Sequence, residues 1–190
     1  KKVYVLQNRR YRKTLRPAAF LSGGLNLSNP FRSEYLVSPR ASFWFTEQLG
    51  IEAMFTKLWG SNNNTYEAVK TVTTGLPFVR EVNTYFGGLA TWTPYYAKLN
   101  FFNKILYLDW YLNLGLGQIS TTLNQNRSAT GGQGPVLDES FLSVFYGTGI
   151  LFFITNSFNF RMDVIGMAYQ AKGADNNTIR TRTNYDYSIG

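Results

Sequence analysis

Residues Lys104–Thr121, KILYLDWYLNLGLGQIST, decide the fold. The even positions Leu106, Leu108, Trp110, Leu112, Leu114 and Leu116 are all apolar. The odd positions between them are Tyr107, Asp109, Tyr111, Asn113, Gly115 and Gly117. A period of two sustained this long is a strand with one apolar and one polar face, since a helix would scatter the leucines around its circumference. A soluble barrel alternates too, so the period alone does not name the solvent. The sorting of side chains goes further: a wall of Leu and Trp opposes a face of small, hydroxylated and carboxylate groups. That combination suits a strand with lipid outside and a narrow polar interior.

The rest of the chain carries the same pattern in eight segments. Ala19, Leu21, Gly23, Leu25 and Leu27 alternate with Phe20, Ser22, Gly24, Asn26 and Ser28, before an Asn29-Pro30 turn. Tyr35, Val37, Ala41, Phe43 and Phe45 then oppose Glu34, Ser38, Arg40 and Ser42, with Pro39 marking a bulge or a weak pairing. After a tight connection at Thr46–Gln48, Leu49, Ile51, Ala53 and Phe55 oppose Gly50, Glu52 and Thr56. The fourth strand sets Val82, Phe86, Ala90 and Trp92 against Asn83, Tyr85, Gly87 and Thr91, and residues 93–103 read as the turn into Lys104–Thr121. The sixth and seventh strands carry Leu142 to Ile154 and Phe158 to Val164 outward, joined at Asn156-Ser157. An eighth begins at Tyr185. Residues 61–80, 123–139 and 171–184 lack a period and read as long loops.

The expected fold is an all-β, eight-stranded antiparallel transmembrane barrel over residues 17–190, preceded by a basic periplasmic tail over 1–16. Short turns at one end and long loops at the other are the asymmetry of outer-membrane barrels. Tyr185–Gly190 is too short to cross a bilayer, and a membrane sheet cannot leave an edge open, so either closure is made some other way or, as expected here, the native strand continues past Gly190.

Composition narrows the chemistry. Charged residues make up 16% of the 190 residues and aromatics 17%, and no apolar run is long enough for a membrane helix. The net charge is +8, of which seven cations lie in the first sixteen residues, among them Arg9, Arg10, Arg12, Lys13 and Arg16. The tail could contact anionic groups, but with few interleaved aromatics it does not suit nucleic acid, and a solvated or lightly anchored segment is expected. There is no histidine and no cysteine, which removes the usual neutral-pH base and the usual zinc or copper ligands. No enzyme activity, metal or cofactor is expected. Gly115-Leu116-Gly117 and Gly147-Thr148-Gly149 lie within strands with no following helix, so they read as relief of crowding rather than nucleotide loops. Asn63-Asn64-Thr65 and Asn176-Asn177-Thr178 match a glycosylation triplet but read as polar loop.

Five charges share the inward parity: Arg40, Glu52, Asp109, Arg161 and Asp163. Counted from the turns they fall at one height in the turn-proximal third. There a paired network packed with Tyr107, Tyr111 and Phe153 would block the lumen, the rival reading being a cation-selective micropore through the same residues. Tyr35, Trp59, Trp92, Trp110 and Tyr146 read as interfacial girdle residues, whereas Trp44 has inward parity.

VYVLQNRRYRK, LSGGLNLSNPF and above all TWTPYYAKLNFFNKILYLDWYLNLGLG resemble the outer-membrane β-barrel domain family of myxobacteria, bdellovibrios and relatives, over nearly the whole of residues 3–188. The resemblance implies a small barrel of OmpA-like size in a Gram-negative outer membrane, in contact with outer-membrane lipid and lipopolysaccharide. It transfers no catalytic motif. Some similar barrels belong to trans-envelope motility machinery, which by analogy suggests a structural or scaffold subunit with a periplasmic or outer-membrane protein partner. The alternatives are a surface adhesin using loops 61–80, 122–139 and 172–184, a narrow pore, and a soluble lipocalin-type barrel, which would need a greasy interior.

Overall fold

The structure, a computed structural model, describes residues 9–72, 80–102, 104–124, 136–155, 157–172 and 179–190. Eight strands form one closed antiparallel barrel in sequence order. They are β1 (Arg16–Asn26), β2 (Arg32–Trp44), β3 (Leu49–Asn62), β4 (Arg80–Phe101), β5 (Lys104–Asn124), β6 (Val136–Phe153), β7 (Asn159–Lys172) and β8 (Ile179–Ile189). Each strand pairs with its sequence neighbours, and β8 returns to β1 through the four pairs from Gly23↔Ile189 to Asn26↔Asp186.

The alternation of Lys104–Thr121 places its faces as the parity implies. Asp109 is 0% and Asn113 4% exposed, whereas Leu114 and Leu116 on the outer wall are 62% and 60% exposed. The other strands follow suit: Tyr35, Ile51, Phe86, Leu142 and Val164 face outward, and Ser38, Thr56, Thr91, Ser143 and Asp163 face in. The described exterior is thus largely apolar, interrupted by polar side chains such as Lys57 and Gln118.

Four features depart from the sequence reading, each for a local reason. A register shift between Val82 and Thr84 moves Val82 inside and Asn83 outside, because one extra residue in a bulge reverses every side chain on one flank. Residues 93–103 are not a long turn, since β4 and β5 run on as a two-stranded ribbon that closes at Phe101↔Lys104. Thr93-Pro94 lies in a second register shift between Trp92 and Tyr95. Within the expected 61–80 loop, β3 continues to Asn62 and a short helix, α1 (Asn64–Val72), follows. Asn63 caps it, its Oδ1 accepting from the Tyr66 N–H at 3.1 Å. The last strand starts at Ile179 rather than Tyr185. Pro39 costs pairing and not register: the β2–β3 ladder skips Ser38 and Pro39 and resumes unshifted at Arg40↔Met54. Much of the expected 123–139 and 171–184 loops, and Asn176-Asn177-Thr178, lies outside the described residues.

The interior has two storeys. Toward the loops, Leu36, Met54, Tyr85, Ile119, Phe145 and Met167 form an apolar cluster, with buried Asp186 accepting from the Tyr85 hydroxyl and buried Glu34 and Arg80 at its loop-side rim. Its aromatic centre needs glycine beside it, because a Cβ on Gly87 or Gly117 would run into the Phe145 ring. Toward the turns the interior becomes polar and charged.

Candidate functional site

β2, β3 and β7 bring four of the five expected charges together on the barrel axis. Arg161 donates to both Glu52 oxygens, at 2.5 and 3.0 Å, and from Nε to Asp163 Oδ2 at 2.7 Å. Arg40 donates to Asp163 Oδ2 at 3.0 Å and to Glu52 Oε1 at 3.4 Å. Each guanidinium therefore touches both carboxylates, and the set is neutral. Outer hydrogen bonds complete it: Arg40 donates to Ser38 and Ser188, both at 3.1 Å, and the Tyr111 hydroxyl donates to Asp163. Arg161 also lies 4.9 Å from the Tyr111 ring centroid and 5.2 Å from that of Phe20. All four charged residues are buried, so each charge depends on its partners rather than on water. Gly149 is part of the fit, because a Cβ there would collide with the Tyr111 hydroxyl and with Asp163.

Asp109 does not join this cluster. In the register Leu151 stands between it and Arg161, and its cations come from the N-terminal segment instead. Lys13 Nζ forms an ion pair with Asp109 Oδ2, and Arg9 approaches the same oxygen at 3.7 Å. At this level of the barrel Arg40 and Arg161 stand against Glu52, Asp163 and Asp109, and the carboxylate left over, Asp109, takes its cations from the tail.

The described part of the tail is thus not a solvated arm. Lys13 is 6% exposed, with its ammonium 3.8 Å from the Trp44 ring centroid and 3.3 Å from the Thr93 hydroxyl. Tyr11 stacks on Phe153 at 5.4 Å and meets Tyr107 edge-on at the same distance. Glu47, in the β2–β3 turn, holds the segment from outside by accepting the Lys13 and Thr14 N–H groups and the Thr14 hydroxyl, the last at 2.7 Å. Leu15, at φ 56°, makes the reversal into β1 in a region that non-glycine residues seldom occupy. Arg10, Arg12 and Arg16 stay exposed. Burial pulls the Lys13 ammonium below its usual pKa, against the opposing pull of Asp109. At Glu47 burial acts upward, and the Thr14 and Lys13 hydrogen bonds outweigh it, leaving the carboxyl below the usual range.

The turn-proximal end also holds open space. A cavity of about 860 Å³ lies beneath the end of β8, lined by Arg12, Arg16, Phe20, Leu21, Phe158 and others. Leu151 and Phe153, which pack with Tyr111, form part of its lining.

The aromatic residues stand as follows. Tyr35 and Trp59 are outward register partners near the loop end, and Trp92 is outward on β4. Trp110 stacks on Tyr95 at 5.5 Å and donates its indole N–H to the Thr148 hydroxyl at 2.8 Å. Tyr146 lies well inside β6, over Gly166, and its hydroxyl is bonded to that of Tyr185 at 3.0 Å.

Residue-by-residue parity did not disclose the contributions of Arg9, Tyr11 and Lys13. The excess inward carboxylate was the available signal. Comparison with family models, with curated proteins and with solved structures finds no match to this chain.

Proposed function

We propose that the chain is an integral outer-membrane β-barrel of Gram-negative type with a closed lumen, serving as a non-enzymatic structural or scaffold subunit of the cell envelope. The observation that carries this reading is the exterior. Around the circumference, outward strand positions hold large apolar side chains such as Leu21, Ile51, Phe86, Leu116 and Leu142, all substantially exposed. Water-soluble monomers rarely expose contiguous apolar patches beyond a few hundred Å². Eight strands of eleven residues or more also meet the length that a tilted span requires. The resemblance of Thr91–Gly117 to outer-membrane barrels of myxobacteria and bdellovibrios agrees with this, as does its link to trans-envelope assemblies.

The filled lumen supports scaffold over pore. An eight-stranded barrel is just wide enough for its own side chains, and here an apolar storey lies above an ionic one. Two measurements test the proposal. The chain should leave membranes only with detergent and migrate differently on gels before and after heating, so a folded chain soluble in plain buffer would overturn membrane residence. In planar bilayers it should give no steady current. An ion-selective conductance abolished by Asp109→Ala or Arg161→Ala would overturn the closed lumen.

A further inference from the structure

The β4–β5 ribbon offers a strand edge that no other described strand covers. β3 stops pairing with β4 at Leu49↔Trp92, yet β4 continues to Phe101, held on one side only by β5. The backbone N–H and C=O groups over Tyr95–Phe101 that do not pair with β5 lie on the opposite side of the strand, an arrangement that templates a further strand.

The two faces of this edge differ in chemistry. One carries Tyr95 and Leu99, 64% and 51% exposed, backed across the register by Trp110 and Leu106. The other carries Tyr96 and Lys98, with the Lys98 ammonium 5.6 Å from the Tyr107 ring centroid and the Arg9 guanidinium 4.7 Å from that of Tyr96. Lys98, Lys104, Arg10 and Arg12 are exposed around it. The nearby acids are engaged, Glu47 by Thr14 and Lys13, and Asp109 by Lys13. A second copy of this chain paired on the same edge would bring one basic face against another, and like charges across a ladder oppose pairing.

We propose that Tyr95–Phe101 is a β-augmentation site for an acidic, extended segment of another protein, with apolar residues on one face of the added strand and Asp or Glu on the other. This rests on the scaffold reading and names the class of partner that the scaffold holds. Lys98 has two effects: it discourages self-association and selects the acid-bearing strand.

The full chain in detergent micelles is titrated with a synthetic peptide of about seven residues alternating Val and Glu. Two control peptides carry Lys for Glu, or N-methyl groups on alternate residues. Fluorescence anisotropy should show the Glu peptide bound at least about tenfold more tightly than the Lys peptide, with a preference that weakens in salt. The N-methylated peptide should lose binding, which charge attraction alone would not cause. Lys98→Glu should weaken the preference several-fold, because Lys104, Arg10 and Arg12 remain. Equal binding of the Glu and Lys peptides, undiminished binding of the N-methylated peptide, or an unchanged preference in Lys98→Glu would overturn the site. So would a dimer abolished by Lys98→Glu. A barrel with heat-dependent mobility that binds no peptide sinks this inference alone, whereas a chain that never enters membranes sinks the reading beneath it.

Discussion

Arg161→Met should destabilise the barrel by about 3–5 kcal/mol, the usual cost of removing one partner from a buried ionic set. Glu52 loses its two shortest hydrogen bonds and keeps only the 3.4 Å contact to Arg40. Asp163 keeps Arg40 and Tyr111 but loses the 2.7 Å bond. The cluster passes from neutral to a single negative charge among buried groups. Methionine fills much of the volume, so the effect reports charge rather than a cavity. The double variant Arg161→Met with Glu52→Gln restores neutrality around Arg40 and Asp163, and should recover more than half of the loss. Denaturant unfolding in micelles reads both, with each midpoint compared at constant slope. A silent single variant would mean that the four groups are not coupled as described.

Leu114→Arg addresses the outside of the same barrel. Leu114 lies mid-strand on β5 and faces outward. A charge on the lipid face near the bilayer midplane costs about 2–4 kcal/mol, falling to about 0–1 near the interface. Gln118, four residues toward the loops on the same face, is already polar and exposed. Gln118→Arg should therefore cost under about 1 kcal/mol. Refolding into vesicles should show this gradient. If water bathed the outer wall, both substitutions would stay within about 0.5 kcal/mol of the parent.

How much of this could be read beforehand follows from the physics of each feature. Parity over Lys104–Thr121 gave the strand, its faces and, repeated, the eight-stranded count, because the period of two is a backbone property that survives any solvent. Parity also named Arg40, Glu52, Arg161 and Asp163. It failed wherever the ladder slips: the shift at Val82/Thr84 exchanged Val82 and Asn83, and the shift between Trp92 and Tyr95 falls where residues 93–103 read as a turn. Inward Leu36, Met54, Phe145 and Met167 carried the right parity, yet the reading stressed the polar members of each row and so missed the apolar storey. The pairing of Asp109 with Lys13 and Arg9 joins residues about a hundred positions apart, and no local pattern encodes it. Only the charge count hinted at it.

The central claim is that the leucine row of β5 touches hydrocarbon while the aspartate row faces the axis. The chain contains no cysteine, so single thiols can be placed without background. Leu108→Cys, Leu112→Cys, Leu114→Cys and Asn113→Cys, each carrying a fluorescent label in vesicles, are read against iodide in the water and brominated acyl chains in the bilayer. The account expects the three leucine positions to be quenched by the brominated chains and spared by iodide, with Asn113→Cys resistant to labelling in the folded barrel. Leucine positions that iodide quenches and brominated lipid does not, together with a readily labelled Asn113→Cys, would contradict it.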